Sequence, residues 1–110
     1  MDTLEWIENW YASQCDGDWE HDYGVKINTV DNPGWAVTID LEGTELETLE
    51  IHSGLIEGPE VVIDRYGDPQ TTDWYNYSFE KKRFRGVGDP TKLRFLLEQF
   101  RRLAQEHSTR

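Results

Sequence analysis

The sequence predicts an α+β fold: an antiparallel meander of four to five strands, with an N-terminal and a C-terminal helix packed on one sheet face. Three observations carry this. Apolar residues recur at helical spacing near the start of the chain, over 3–14. They do so again near its end, over 90–105. Between them, Tyr23 to Leu41 alternates apolar and polar residues and breaks once, at Asp31-Asn32-Pro33-Gly34. Two helical stripes and one apolar sheet face are all buried if both helices lie on that face, leaving the other to solvent or a partner.

Asp2 and Glu5 stand at capping-box spacing, with Asp in place of the usual Ser or Thr. Leu4, Ile7, Tyr11 and the pair Trp6 and Trp10 then recur at helical intervals, while Glu5, Glu8, Asn9 and Ser13 face water. The spacing predicts a helix from Thr3 to Gln14, with Trp6 and Trp10 packed on the sheet. Cys15 falls at its end, where the helix dipole and neighbouring carboxylates oppose a thiolate, so it reads as an inert thiol rather than a partner of His21, His52 or His107.

Asp16, Asp18, Glu20 and Asp22 surround Trp19 within seven residues. The first three sit at alternate positions, like the start of a calcium loop, but the sixth position is His21 instead of Gly and the twelfth is Ile27 instead of Glu. An extended backbone over 18–22 accounts for the alternation, with Asp18, Glu20 and Asp22 to one side and Trp19, His21 and Tyr23 to the other. Tyr23, Val25, Ile27 and Thr29 then form one strand face, opposite Lys26 and Asn28. On the return strand Trp35, Val37, Ile39 and Leu41 point inward, and Thr38, Asp40 and Glu42 outward. Asn32-Pro33-Gly34-Trp35 suits a type II turn.

The middle of the chain is less regular. Leu46, Leu49 and Ile51 mark a strand or a short irregular segment, and Gly54, Gly58 and Pro59 break the chain. Val61 to Ile63 reads as a strand, Tyr66 to Thr72 as a loop, and Asp73 to Glu80 as a strand with Tyr75, Tyr77 and Phe79 on one side. Lys81-Lys82-Arg83 turns the corner as a solvated turn or internal counter-patch, and Phe84 returns to the core. Gly86-Val87-Gly88 resembles a phosphate cradle but lacks the third glycine and the lysine. Asp89 is the natural N-cap, with Pro90 at the first helical position. Leu93, Leu96, Leu97, Phe100, Leu103 and Ala104 mark a helix over 90–105, whose end Arg101 and Arg102 complement.

One domain spanning 1–110 is expected, its core drawn from five Trp, five Tyr and four Phe. The single cysteine allows no internal disulfide, MDTLEWIENW carries acids where a secretion signal carries Lys or Arg, and no apolar run nears the ~20 residues of a membrane span. A soluble cytoplasmic protein, monomeric and without cofactor or metal, is the expectation. Its charge is divided. Met1 to Asp64 holds 16 acids and one base, Lys26, whereas Arg65 to Arg110 holds 6 acids and 10 bases. A net charge of −11 repels nucleic acid and anionic membranes and attracts basic proteins. The candidate contact residues are Asp16, Asp18, Trp19, Glu20 and Asp22, with Trp35 a secondary candidate whose inward position favours the core.

Two other classes fit parts of the pattern. Glu20 and Asp40 form a possible carboxylate pair for a small carbohydrate-binding or hydrolytic domain. A generic acidic adaptor, or a nucleic-acid binder using Lys81 to Arg85, is the other, and the net charge opposes the second form.

Trp10-Tyr11, Cys15-Asp16-Gly17-Asp18-Trp19-Glu20-His21, Tyr23-Gly24, Asp31-Asn32-Pro33-Gly34-Trp35 and Asp40-Leu41 together resemble the signature of the immunity protein 53 family of bacterial polymorphic toxin systems. Phe84, Gly86, Gly88 and the Leu93/Phe100 helix are similar in placement, while Gly43 to Phe79 follows the family loosely. The resemblance implies a non-enzymatic cytoplasmic antidote that binds a cognate toxin domain, usually encoded next to it. A basic, nuclease-type toxin would suit the charge.

Overall fold

The computed structural model describes residues 1–58, 61–63, 65–67, 69–71 and 73–108, with the backbone alone at 61–63, 69–71 and 108. The elements run α1 (Thr3–Gln14), α2 (Trp19–Asp22), β1 (Val25–Val30), β2 (Gly34–Asp40), β3 (Ile51–His52), β4 (Ile56–Glu57), β5 (Val61–Ile63), β6 (Pro69–Thr71), β7 (Trp74–Glu80), β8 (Arg83–Gly88) and α3 (Leu93–Ser108). The main sheet is antiparallel, in the order β1-β2-β8-β7-β3, with β4 also paired to β7. It is thus an α+β fold with a helix at each end of the chain. The order is not that of a plain meander, because β8 lies between β2 and β7. Of the strands between β2 and β7, β3 and β4 pair with the side of β7 away from β8, while β5 and β6 pair with each other. Pro69 to Thr71, expected as loop, is strand β6, and Asp68 and Thr72 of that expected loop lie outside the described residues.

Register assigns the two sheet faces. Val25, Ile39, Phe84, Phe79 and Ile51 align across five strands and face the helices. One position on, Lys26, Thr38, Arg85, Ser78 and His52 align on the open face, so period-2 alternation divides core from solvent as the sequence indicates. α3 lies over β2 and β8, and α1 lies against α3. Phe100 of α3 is the centre of the core. Its ring stands 5.0 Å from Trp10, 5.3 Å from Phe84, 5.8 Å from Phe79 and 6.0 Å from Trp6. The ring pairs of Trp6 and Trp10 are therefore made with Phe100 of α3 and, for Trp10, with Trp19 of α2 as well. Leu4, expected on the buried stripe, is exposed.

Gly34 does not occupy a type II turn. Val30 pairs with Gly34, which begins β2 without a positive φ, and the Asn32–Pro33 bond is cis. Glycine is required there for space, since a Cβ would run into the carbonyl oxygen of Gly88 and lie 3.2 Å from the Trp74 ring. Gly86 likewise belongs to strand β8 and not to a phosphate loop, where a Cβ would meet Leu96 of α3 at 3.0 Å. The small residue lets the helix approach the sheet.

Asp89 is not the cap of a helix starting at Pro90, because α3 begins at Leu93. Its fully buried carboxylate instead ties the turn over 89–92 to the start of β7. One oxygen accepts from the Thr91 backbone and hydroxyl (2.8 and 2.6 Å), the other from the Trp74 backbone and Lys92 Nζ (2.9 and 2.7 Å). Lys92 also reaches Asp73 at 2.5 Å. Burial opposes ionisation of Asp89, but these donors overcome it and hold its pKa at about 2.

Candidate partner interface

The loop after α1 is built from its own carboxylates. Asp16 accepts from the backbone N–H groups of Asp18 (3.0 Å) and Trp19 (2.9 Å). Glu20 reaches back to the N–H groups of Asp16 (3.0 Å) and Gly17 (2.9 Å). These reciprocal bonds curl 19–22 into one turn of helix, so the extended backbone expected there does not form. Both carboxyls are held below their usual range. For Asp16 the cause is the Trp19 and then the Asp18 N–H, and for Glu20 its own N–H followed by those of Asp16 and Gly17.

Trp19, a candidate surface residue in the sequence, is only 8% exposed. Its ring packs beside Tyr23 (6.0 Å), Tyr11 (6.1 Å) and Trp10 (6.3 Å), and its indole N–H donates to the Glu42 carbonyl at 2.8 Å. Trp19 is an internal brace in the free chain. What it braces is a second acidic segment. Residues 41–49 form successive turns anchored by Leu41 and Leu46, both fully buried. Glu45 accepts from the Trp10 indole (3.1 Å) and Gln14 (3.4 Å), and Glu47 accepts from the Gly43 N–H (2.6 Å). The Glu42 carboxylate beside the Tyr23 hydroxyl raises the phenol's pKa.

The result is one acidic rim at the end of the sheet where β1 starts and β2 ends. Asp16, Asp18, Glu20 and Asp22 come from the loop and turn that carry Trp19, and Glu42, Glu45 and Glu47 from the segment to which its indole is bonded. Among the described residues no donor is bonded to the carboxylates of Asp18 and Asp22, both exposed. Sequence reasoning missed the contribution of 42–47. Its acids were legible in LEGTELETLE, but the tryptophan contact that folds them against the first loop was not. Trp35 is half-buried on the helix side, donating to the Pro90 carbonyl at 2.9 Å, far along the strand from this rim.

The basic corner lies next to the acids as a counter-patch. Lys82 reaches Glu42 at 3.9 Å and Arg83 reaches Asp40 at 3.4 Å. Asp40 also accepts from the Gly24 N–H at 3.0 Å. For the hydrolase alternative this matters: Asp40 is engaged with Arg83 and Gly24, and Glu20 is held ionised by backbone donors, whereas a general acid needs a raised pKa. Among the described residues no three His, Cys, Asp or Glu side chains converge on a cation site, and no helix is long and apolar enough to cross a membrane.

The fold is a two-layer α+β domain whose two acidic segments are joined at one end of the sheet. The chain belongs to the immunity protein 53 family, whose sequence model matches residues 4–105. It is thereby an immunity protein of a toxin system, a class that acts by binding a cognate toxin and is in general not enzymatic. No curated protein and no solved structure matches this chain.

Proposed function

We propose that this chain neutralises its toxin by seating the acidic rim in a basic cleft, and that the toxin is of nuclease type. The observation that carries this reading is the convergence of two acidic segments, 16–22 and 42–47, around the buried Trp19. A nuclease must hold phosphates with Lys or Arg, and a rigid array of carboxylates competes for the same cations. Asp18 and Asp22 make the direct ion pairs. Asp16 and Glu20 shape the loop, Trp19 and Trp35 act from within the fold, and Glu42 and Glu45 extend the contact. Because the rim is already ordered by backbone bonds, little conformational entropy is lost on binding. The chain works as a monomer in the cytoplasm, needs no cofactor, and binds neither nucleic acid nor membrane.

The test is co-expression with the toxin domain of the neighbouring reading frame. Cells are expected to survive with this chain and die without it, and the purified toxin should degrade nucleic acid only in its absence. Death in both cases, or a toxin without nuclease activity, would remove the corresponding half of the reading.

A further inference from the structure

The sheet ends at β1, and the outer side of β1 is a second feature of the same end of the molecule. The Asp40 N–H donates to the Gly24 carbonyl at 3.0 Å, and the Leu41 N–H donates to the Lys82 carbonyl at 2.9 Å. These two bonds fix the phase of the ladder. Even-numbered residues of β1 exchange bonds with β2, and Val25, Ile27 and Thr29 turn their N–H and C=O groups outward. Among the described residues no strand pairs with that edge. Ile27 is 42% exposed on the helix side. Beside it, a groove of about 280 Å³ runs between α1 and β1, lined by Ile7, Glu8, Tyr11, Gly24 and Val25.

We propose that an extended segment of the toxin adds to the outer edge of β1, with an apolar side chain in the α1–β1 groove and basic residues beside it. This rests on the toxin-binding reading and extends it from the rim to the neighbouring edge. The unpaired backbone groups at alternate residues dictate an extended partner. A residue placed opposite Val25 has its side chain on the helix side, which is where the groove lies. Glu8 in the groove and Asp22, two residues ahead of Gly24, select positive charge. The rim and the edge are continuous, because α2 runs into β1 through Tyr23 and Gly24 alone. A second copy of this chain is the poorer occupant. Lys26 stands near the start of β1 on the open face, and a lysine on an edge strand is a common guard against edge-to-edge association.

The experiment is residue-resolved amide hydrogen exchange of the full chain, free and bound to an inactivated form of the neighbouring toxin domain. Selective slowing at Val25, Ile27 and Thr29 on binding is the expected result. Ile27→Pro supplies a second reading. It removes an outward donor that makes no ladder bond, so it is expected to weaken toxin binding by about tenfold while leaving the circular dichroism spectrum unchanged. Binding with those three amides exchanging at their free rates overturns the edge contact and leaves the rim reading in place. Absence of binding overturns both. Protection that appears in the free chain as its concentration rises assigns the edge to a second copy and also overturns the proposal.

Discussion

The indole N–H of Trp19 donates to the main-chain carbonyl of Glu42 across 2.8 Å, joining two acidic segments that lie 23 residues apart in the chain. The ring sits at the outer end of an aromatic series that runs inward through Trp10 to Phe100. The rim is therefore coupled to the core, and its shape depends on a residue that is itself buried in the free chain.

Truncation of that brace separates core from surface. Trp19→Ala is expected to cost about 3–5 kcal/mol in urea unfolding, as for other large-to-small core changes. Trp19→Phe keeps most of the packing and loses the bond to Glu42, for a cost of about 1–2 kcal/mol. A cost below about 1 kcal/mol for the alanine variant would mean that the ring is a surface residue.

The hairpin joining β7 and β8 is made by Lys81 and Lys82, both at positive φ (54° and 60°). A two-residue turn of this hand favours Asn-Gly, and lysines there are conformationally unfavourable. Lys81→Asn with Lys82→Gly is expected to raise stability by about 1–2 kcal/mol, read from the urea midpoint. An unchanged or lower midpoint would show that the contact of Lys82 with Glu42 outweighs the backbone term.

Acid is expected to weaken the fold through Asp89. Its folded pKa of about 2 lies below the ordinary 3.8, so the unfolded chain binds more protons between those values. The stabilisation is complete above pH 4 and is lost as pH falls through 2. Asp16 and Glu20, also lowered, act in the same direction. Lys92 has a raised pKa, so its contribution is complete below about pH 10 and fades as pH climbs through the raised value. Asp89→Asn leaves Lys92 with Asp73 as its carboxylate partner among the described residues and is expected to cost about 3 kcal/mol at pH 7 while flattening the acid limb of the stability profile. Urea titrations at a series of pH values check both effects.

Much of this architecture was legible in the chain. The alternation from Val25 to Leu41 follows from one face being buried, and the stripe Leu93 to Ala104 follows from α3 lying on β2 and β8. What misled were local signals overruled by tertiary contacts. Alternating acids over 18–22 resemble an extended strand, but Asp16 and Glu20 satisfy the backbone of a turn instead. Gly34 after Pro33 suggests a turn residue, yet it is small because Gly88 lies against it. Asp89 before Pro90 has the form of a helix cap, while its carboxylate is used to fasten β7 through Trp74. The rim itself was half legible. Charge marks every acid in the sequence, but only the fold tells that the buried Trp19 of the first acidic segment is bonded to Glu42 of the second.

The most direct measurement is the association rate of the inactivated toxin domain with the unmodified chain and with Asp18→Lys/Asp22→Lys, over a range of salt. Asp18 and Asp22 are the residues to change because Glu20 closes the loop and its loss would confound charge with folding. For the unmodified chain the rate is expected to fall roughly tenfold or more from low to high salt, with the double variant about tenfold slower at low salt and nearly insensitive to it. Equal rates with equal salt slopes for the two proteins would contradict a toxin contact at the acidic rim.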